Sequence, residues 1–331
     1  MVLALSAQAA AAPCCSSRSS AARGSKAAVA IQSLRSQQQQ PSRRGLNASR
    51  RAAAVRVAAM AASTAQTRSV SGTMAELKAQ GKVAFIPFLV ACDPDAGTTV
   101  KALQKLNELG ADVIELGVPY SDPLADGPTI QAAATRALQQ GATLDKVLGV
   151  VREASATIKA PIVMFTYYNP IMARGLDKFC QQAKEAGASG LLVPDIPLEE
   201  TAVIREAASK QGLELVLLTT PTTPQERMHR IALSSQGFVY LVSVTGVTGA
   251  RTSMESRVEG LISQLQEVAE GKAVCVGFGV SGPEQAKQIR EWGADGVICG
   301  SALVRALGES GSPEEGLQRM GELAASIRAA I

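Results

Sequence analysis

One glutamate, Glu115, interrupts the short apolar run Val113–Leu116 and leads into an acidic, Gly/Pro-rich stretch, Gly117-Val118-Pro119-Tyr120-Ser121-Asp122-Pro123-Leu124-Ala125-Asp126-Gly127-Pro128. An ionised carboxylate in a short buried strand costs several kcal/mol unless it is paired or its pKa rises. A desolvated carboxylate at a strand end is also what general acid/base chemistry needs. The competing reading of Glu115 is a structural carboxylate bonded to backbone amides or an arginine. Asp126 has two readings as well, because Asp-Gly-Pro-Thr is an ordinary helix-start sequence that would make it a cap. Asp122, before Pro123, suits a turn. Tyr240 shares one face of Phe238–Ser243 with Phe238 and Val242. Turned inward, its hydroxyl needs a partner and approaches Glu115; a core tyrosine satisfied by water is the alternative.

Two glycine-rich segments follow apolar runs late in the chain, Gly277-Phe278-Gly279-Val280-Ser281-Gly282 and Gly300-Ser301, and the second opens a short helix. Backbone amides at such places favour an anion. Thr245-Gly246-Val247-Thr248-Gly249-Ala250-Arg251 is long, polar and glycine-hinged, as a mobile lid or an ordinary surface loop would be. Histidine occurs once, as His229 in a charged helical stretch, and reads as a surface residue. A Ser/His/Asp triad and a multi-histidine metal site are thereby nearly excluded, so proton transfer falls to carboxylates, tyrosine or the substrate. Cys14, Cys15, Cys92, Cys180, Cys275 and Cys299 show no CxxC spacing, and neither disulfide nor zinc readings hold.

The elements that must position these groups alternate from about residue 74. Short apolar runs at Ala84–Val90, Val113–Leu116, Ile162–Thr166, Leu191–Val193, Leu215–Leu218, Phe238–Ser243, Val274–Gly277 and Val297–Cys299 predict eight strands. Helical periodicity follows them, for example at Thr98–Leu109, Asp177–Ala186, Glu200–Gln211, Ser256–Ala269 and Glu284–Trp292. Gly110-Ala111-Asp112, Gly187-Ala188-Ser189 and Gly293-Ala294-Asp295 repeat one device, a glycine closing a helix just before a strand. Eight βα units predict an α/β fold, a TIM (β/α)8 barrel, with Glu115 on the inner face at the C-terminal mouth. A doubly wound sheet is the runner-up, but no GxGxxG follows the first strand.

Charge divides the chain unevenly. Ten of its 33 Lys+Arg lie in residues 1–75, where there is no Asp or Glu, so the remainder sets 23 basic against 29 acidic residues, about −6. The overall +4 therefore belongs to the N-terminal segment, and nucleic-acid binding is a poor reading of the chain. An acid-free leader rich in Ala, Ser, Arg and Gln has the profile of an organelle transit peptide, a disordered polar tail being the alternative. Residues 1–60 are read as a disordered transit peptide, with processing near Arg56-Val57-Ala58-Ala59, and 61–331 as one barrel domain. No apolar run approaches the length of a membrane span.

The Glu115–Gly127 block resembles the signature of the tryptophan synthase alpha subunit family. Phe85-Ile86-Pro87-Phe88, Tyr168-Asn169-Pro170, Pro194-Asp195-Ile196-Pro197, Tyr240–Gly249, Gly277–Gly279 and Gly300-Ser301 extend the likeness over roughly residues 74–331. The resemblance implies a lyase of tryptophan biosynthesis, which splits indole-3-glycerol phosphate by retro-aldol cleavage into indole and glyceraldehyde 3-phosphate. It implies Glu115, Asp126 and Tyr240 as catalytic residues, with Asp126 at the indole N–H and Tyr240 orienting Glu115. It also implies Phe88 against the indole, Gly249, Gly279, Gly300 and Ser301 at the phosphate, and Thr248 closing over Asp126. No metal and no cofactor in this chain are implied, pyridoxal phosphate being expected only in a beta subunit partner of an alpha2beta2 tetramer. The leader looks like the organellar form, hence the chloroplast stroma. A Schiff-base aldolase would want a lysine at a strand's C-terminal end, whereas Lys82, Lys159 and Lys272 lie at or before strand beginnings. A stand-alone lyase releasing free indole and a non-catalytic barrel activating a beta subunit are the alternatives within this reading; another sugar-phosphate barrel leaves Asp122–Asp126 unexplained.

Overall fold

The computed structural model of the chain describes residues 69–242, 251–277 and 279–331, the first seven residues of the second segment by backbone alone. Eight parallel strands close on themselves in sequence order. They are β1 Ala84–Val90, β2 Ile114–Gly117, β3 Ile162–Phe165, β4 Gly190–Leu192, β5 Glu214–Thr219, β6 Val239–Val242, β7 Val274–Gly277 and β8 Gly296–Cys299. The helices, in order, are α1 Val70–Ala79, α2 Ala96–Glu108, α3 Pro128–Gln139, α4 Leu144–Ser155, α5 Tyr168–Arg174, α6 Leu176–Ala186, α7 Thr201–Lys210, α8 Gln225–Ser234, α9 Arg251–Val268, α10 Pro283–Glu291, α11 Ser301–Gly308 and α12 Pro313–Ala330. The expected TIM barrel is therefore present, with strand limits within about two residues of those read from the apolar runs. No helix among the described residues is long and apolar enough to cross a membrane.

Closure follows from what the strands are made of. Seven of seven residues of β1 and all four of β2, β3, β7 and β8 are buried, as parallel strands covered on both faces must be. β1 pairs with β8 through Ala84–Pro87 and with β2 through Phe88–Val90. Pro87, which has no amide to donate, thus stands where β1 changes partner. Gly110, Gly187 and Gly293 take φ of +85°, +100° and +83°, the left-handed conformation that ends a helix and turns the chain into a strand.

Register decides what faces inward. Partners across a parallel ladder share a face, so Phe88, Glu115 and Val163 lie on one side of the wall, as do Leu218, Tyr240 and Cys275. The N-terminal end of the barrel is closed by α1. Its Val70 is fully buried, and a Cβ added at Gly190 would lie 3.5 Å from the Val70 side chain. Ser71 donates its amide to the Glu214 carboxylate at 3.0 Å and bonds it through its hydroxyl as well. With that end plugged, access to the interior is from the C-terminal ends of the strands.

Around that mouth, α3 and the loop after β1 are joined by an ion pair between the buried Asp93 and the half-buried Arg136. The Arg136 guanidinium donates to both Asp93 oxygens at 2.8 and 2.7 Å. Gly308, near the end of α11, packs so closely that a Cβ there would come within 2.5 Å of the Asp93 carboxylate. The helix that follows Asp126 and the helix that follows β8 are thereby seated on one another.

Candidate active site

Glu115 sits within β2 with no exposed surface, and among the described residues neither of its carboxylate oxygens has a hydrogen-bond partner. Burial without compensation disfavours the charged form and pushes its pKa up to about 8. The structural-carboxylate reading required amides or an arginine around it, and the described residues supply neither. Its register partner Phe88 and its electrostatic neighbour Tyr240 both line a cavity of about 240 Å³ at the C-terminal mouth, while Glu115 lies outside that lining. Tyr240 is itself pushed well above the usual phenol range, by burial first and by the nearby Glu115 charge second. The hydroxyl of Tyr240 makes no hydrogen bond to Glu115, so the two are neighbours by charge and not by a bond.

Two glycines make this arrangement fit. A Cβ on Gly117 would come 2.7 Å from Phe88 Cζ, and one on Gly277 would come 2.5 Å from Tyr240 Cζ. Sequence reading placed Gly277 at the start of an anion loop. In the structure it makes room for the tyrosine ring. Phe88 is further fixed edge-on to Phe165, with ring centroids 5.4 Å apart.

Asp126 is not a helix cap. The N-cap of α3 is Gly127, which makes no side-chain bond, and the Asp126 carboxylate instead accepts from the Tyr167 hydroxyl at 3.0 Å. That same hydroxyl accepts the Ala125 amide at 3.0 Å, so one tyrosine holds both the carboxylate and its loop. Burial raises the Asp126 pKa to about 6, against the opposing pull of the Tyr167 bond. Tyr167 was missed by sequence reasoning. Its one signal was position, two residues beyond the end of β3 where barrel mouths carry their chemistry. Asp122 is exposed, and its carbonyl accepts the Leu124 amide in a turn.

Gly279, Gly300 and Ser301 all line the same cavity as Phe88, Asp126 and Tyr240. Gly300 is the N-cap of α11 and, having no side chain, leaves the start of that helix without a side-chain cap of its own beside the cavity. Gly279 has a φ of +87°, a loop conformation open to glycine. Arg305 also lines this cavity, a residue not singled out from the sequence. Thr248 and Gly249 lie outside the described residues, as does the Thr245–Ala250 part of the expected lid. His229, expected on the surface, is half-buried with Nδ1 3.0 Å from the Val268 carbonyl oxygen. Larger clefts of about 520 and 600 Å³ open at the opposite end, among residues such as Lys78, Lys272 and Arg328, away from every group above.

The sequence over residues 74–331 matches the family model for the tryptophan synthase alpha chain. The chain belongs to the tryptophan synthase alpha chain family. It is accordingly a carbon–carbon lyase of tryptophan biosynthesis, acting on indole-3-glycerol phosphate. It is 54% identical to the tryptophan synthase alpha chain of Arabidopsis thaliana over 265 residues, 80% of this chain and 96% of that one. To the alpha chain of a Picosynechococcus species it is 57% identical over 263 residues, 80% and 99% of the two chains. Among solved structures it resembles the alpha subunit of Legionella pneumophila, with a TM-score of 0.73, 37% identity and coverage of 79% and 97%. It also resembles a chain of the tryptophan synthase a2b2 complex of Pyrococcus furiosus, with a TM-score of 0.69, 40% identity and coverage of 74% and 97%. In this family the alpha chain carries no cofactor, pyridoxal phosphate belonging to the beta subunit.

The buried acid has a consequence for stability. A carboxyl whose folded pKa is raised to about 8 holds its proton in the native state while the unfolded chain releases it from about 4.5 upward. Its contribution is fully present below pH 4.5 and is lost as pH rises toward 8. Glu115→Gln removes that dependence. The stability of the variant relative to the parent should therefore climb across this window, by on the order of 3 kcal/mol. Urea unfolding at pH 4.5, 6 and 8 reads it out, and parallel pH curves for the two proteins would show that Glu115 ionises normally.

Proposed function

We propose that Glu115 and Asp126 divide the lyase reaction between them, and the observation that carries this is their two differently raised carboxyl pKa values, about 8 and about 6. Between those values Glu115 is an acid and Asp126 an anion, the pairing of states that acid/base assignments rest on. The C–C bond of indole-3-glycerol phosphate breaks readily once indole C3 carries a proton, because the ring then becomes an electron-accepting indolenine. Glu115 donates that proton to C3. Asp126 stabilises the positive charge that develops at the indole N–H. The bond between C3 and the glycerol carbon then cleaves and its electron pair returns to the ring. The hydroxyl on the departing carbon becomes the aldehyde of glyceraldehyde 3-phosphate and gives its proton to the Glu115 carboxylate, which restores the acid. Proton transfer needs contact at about 2.6–3.2 Å, so Glu115 turns toward the cavity when substrate fills it.

The remaining lining suits the rest of the substrate. Phe88, edge-packed on Phe165, offers a flat apolar face to the indole. Gly279, Gly300 and Ser301 offer backbone amides to the phosphate. Tyr240 positions Glu115 through its bulk and charge environment. Thr248 and Gly249 keep the roles expected from family resemblance, closing over Asp126 and binding phosphate.

A beta subunit partner fits the rim of this site. Leu124, in the loop after β2, is 84% exposed, and Met172 on α5 is 53% exposed. Their loops are tied together where Asn169 donates to the Tyr120 hydroxyl at 2.9 Å. Two large apolar side chains held out beside an active-site mouth mark an interaction surface, and the similar Pyrococcus chain is part of an a2b2 complex. Residues 1–60 are proposed to be a plastid transit peptide, in keeping with their lack of acidic residues and with the plant and cyanobacterial relatives.

Glu115→Gln should lower kcat about 10²–10⁴-fold, the usual cost of losing a positioned acid/base. The parent kcat/KM should be bell-shaped, with limbs near pH 6 and pH 8, and Asp126→Asn should cripple the rate and not the stability. A Glu115→Gln enzyme with more than about a tenth of parental kcat would remove Glu115 from the mechanism. Leu124→Asp combined with Met172→Asp should abolish co-purification with the beta subunit while the isolated chain keeps its lyase rate. Undiminished association would move the interface elsewhere. N-terminal sequencing from the native cell should find the mature start between roughly residues 55 and 75; an intact Met1 would make the compartment cytosolic.

A further inference from the structure

Arg305 belongs to the cavity but has no part in the reaction as set out above. It lies four residues beyond Ser301 on α11, one helical turn along the same face. It shares the cavity that it lines with Gly300 and Ser301, at the start of the same helix, and with Gly279. Its current partners are weak ones. Nη2 donates to Thr129 Oγ1 at 3.1 Å, and Nε stands 3.9 Å from the Glu309 carboxylate, with 62% of the Arg305 side chain exposed. A neutral hydroxyl and a distant, solvated carboxylate leave most of a five-donor fork unused.

We propose that Arg305 is a specificity-determining residue for the substrate's phosphate, leaving Thr129 to clamp the dianion from the solvent side while the glycine amides hold it from within. This rests on the assignment of the phosphate to Gly279, Gly300 and Ser301. A guanidinium matches two phosphate oxygens at once, and the pairing is charge-assisted. The phosphate changes neither charge nor position greatly during C–C cleavage, so the clamp binds ground and transition states alike. Its loss should then appear in KM and not in kcat. It also selects against substrates lacking the phosphate, for which Arg305 stays on Thr129.

The test measures kcat and KM for indole-3-glycerol phosphate, inhibition by inorganic phosphate, and indole binding, in the full chain and four variants. Arg305→Ala should raise KM and the inhibition constant of phosphate about tenfold, the scale of one charge-assisted contact, with kcat and indole affinity unchanged. Arg305→Lys should recover part of the loss, having the charge without the fork. Thr129→Val frees Arg305 and should not raise KM. Ser301→Asp suits the start of a helix but repels a dianion, and should abolish phosphate inhibition in a folded protein. Parental KM and phosphate inhibition in Arg305→Ala would overturn the proposal. So would an equal loss in Thr129→Val, which would make Arg305 a strap between α11 and α3. If instead Ser301→Asp leaves phosphate inhibition intact, the amide cradle is wrong and the proposal falls with it.

Discussion

An unpaired carboxyl inside a closed barrel is the constraint on which the rest of this structure turns. Glu115 has no solvent and, among the described residues, no hydrogen-bond partner, so the fold carries its desolvation in place of offsetting it. That is tolerable because the group can stay protonated, and a protonated carboxylic acid at neutral pH is what the proposed proton transfer to indole C3 requires. The neighbouring residues pack closely around Glu115. Gly117 and Gly277 have no side chains, which lets the rings of Phe88 and Tyr240 crowd into the strand ends beside the acid. A stable core would have placed an aliphatic residue at position 115, and the enzyme instead holds local instability where its chemistry occurs.

The second acid is handled in the opposite way. Asp126 is on a loop, keeps a donor in Tyr167, and is only partly withdrawn from water, so its pKa rises less. Two carboxylates, one on β2 and one in the loop that follows it, therefore reach different protonation states at one pH through burial and one hydrogen bond. The loop that bears Asp126 is in turn held where it matters. Tyr167, just beyond β3, bonds both its carboxylate and the Ala125 amide, and the Asp93–Arg136 pair seats the helix that follows it. Acid, anion site and the helix between them are thus positioned as one unit.

Much of this was legible in the chain. Alternating apolar runs and helical periods gave the barrel, because a strand covered on both faces has to be apolar throughout, and eight βα repeats have few other ways to bury their sheet. Three glycines before aspartate or serine marked the helix ends, because only glycine enters the left-handed region cheaply. Glu115 announced itself as a charge where burial was certain. Asp126 was ambiguous, since a helix start and an active-site loop use the same four residues.

What resolved that ambiguity lies far off in sequence. Tyr167 is 41 residues from Asp126, and Arg305 is 176 residues from Thr129, so neither contact has a local signature. Gly277 looked like part of an anion loop because its neighbours are glycines, and its actual task depends on a ring 37 residues earlier, across the barrel wall. The sequence by itself determined the architecture and the identity of the buried acid, because periodicity and burial are local or nearest-neighbour properties. Only the tertiary structure decided which hydroxyl holds Asp126, which glycine yields to Tyr240, and that a guanidinium shares one cavity with Gly279 and Gly300, because these follow from the closure of the barrel, which brings together residues that the chain keeps apart.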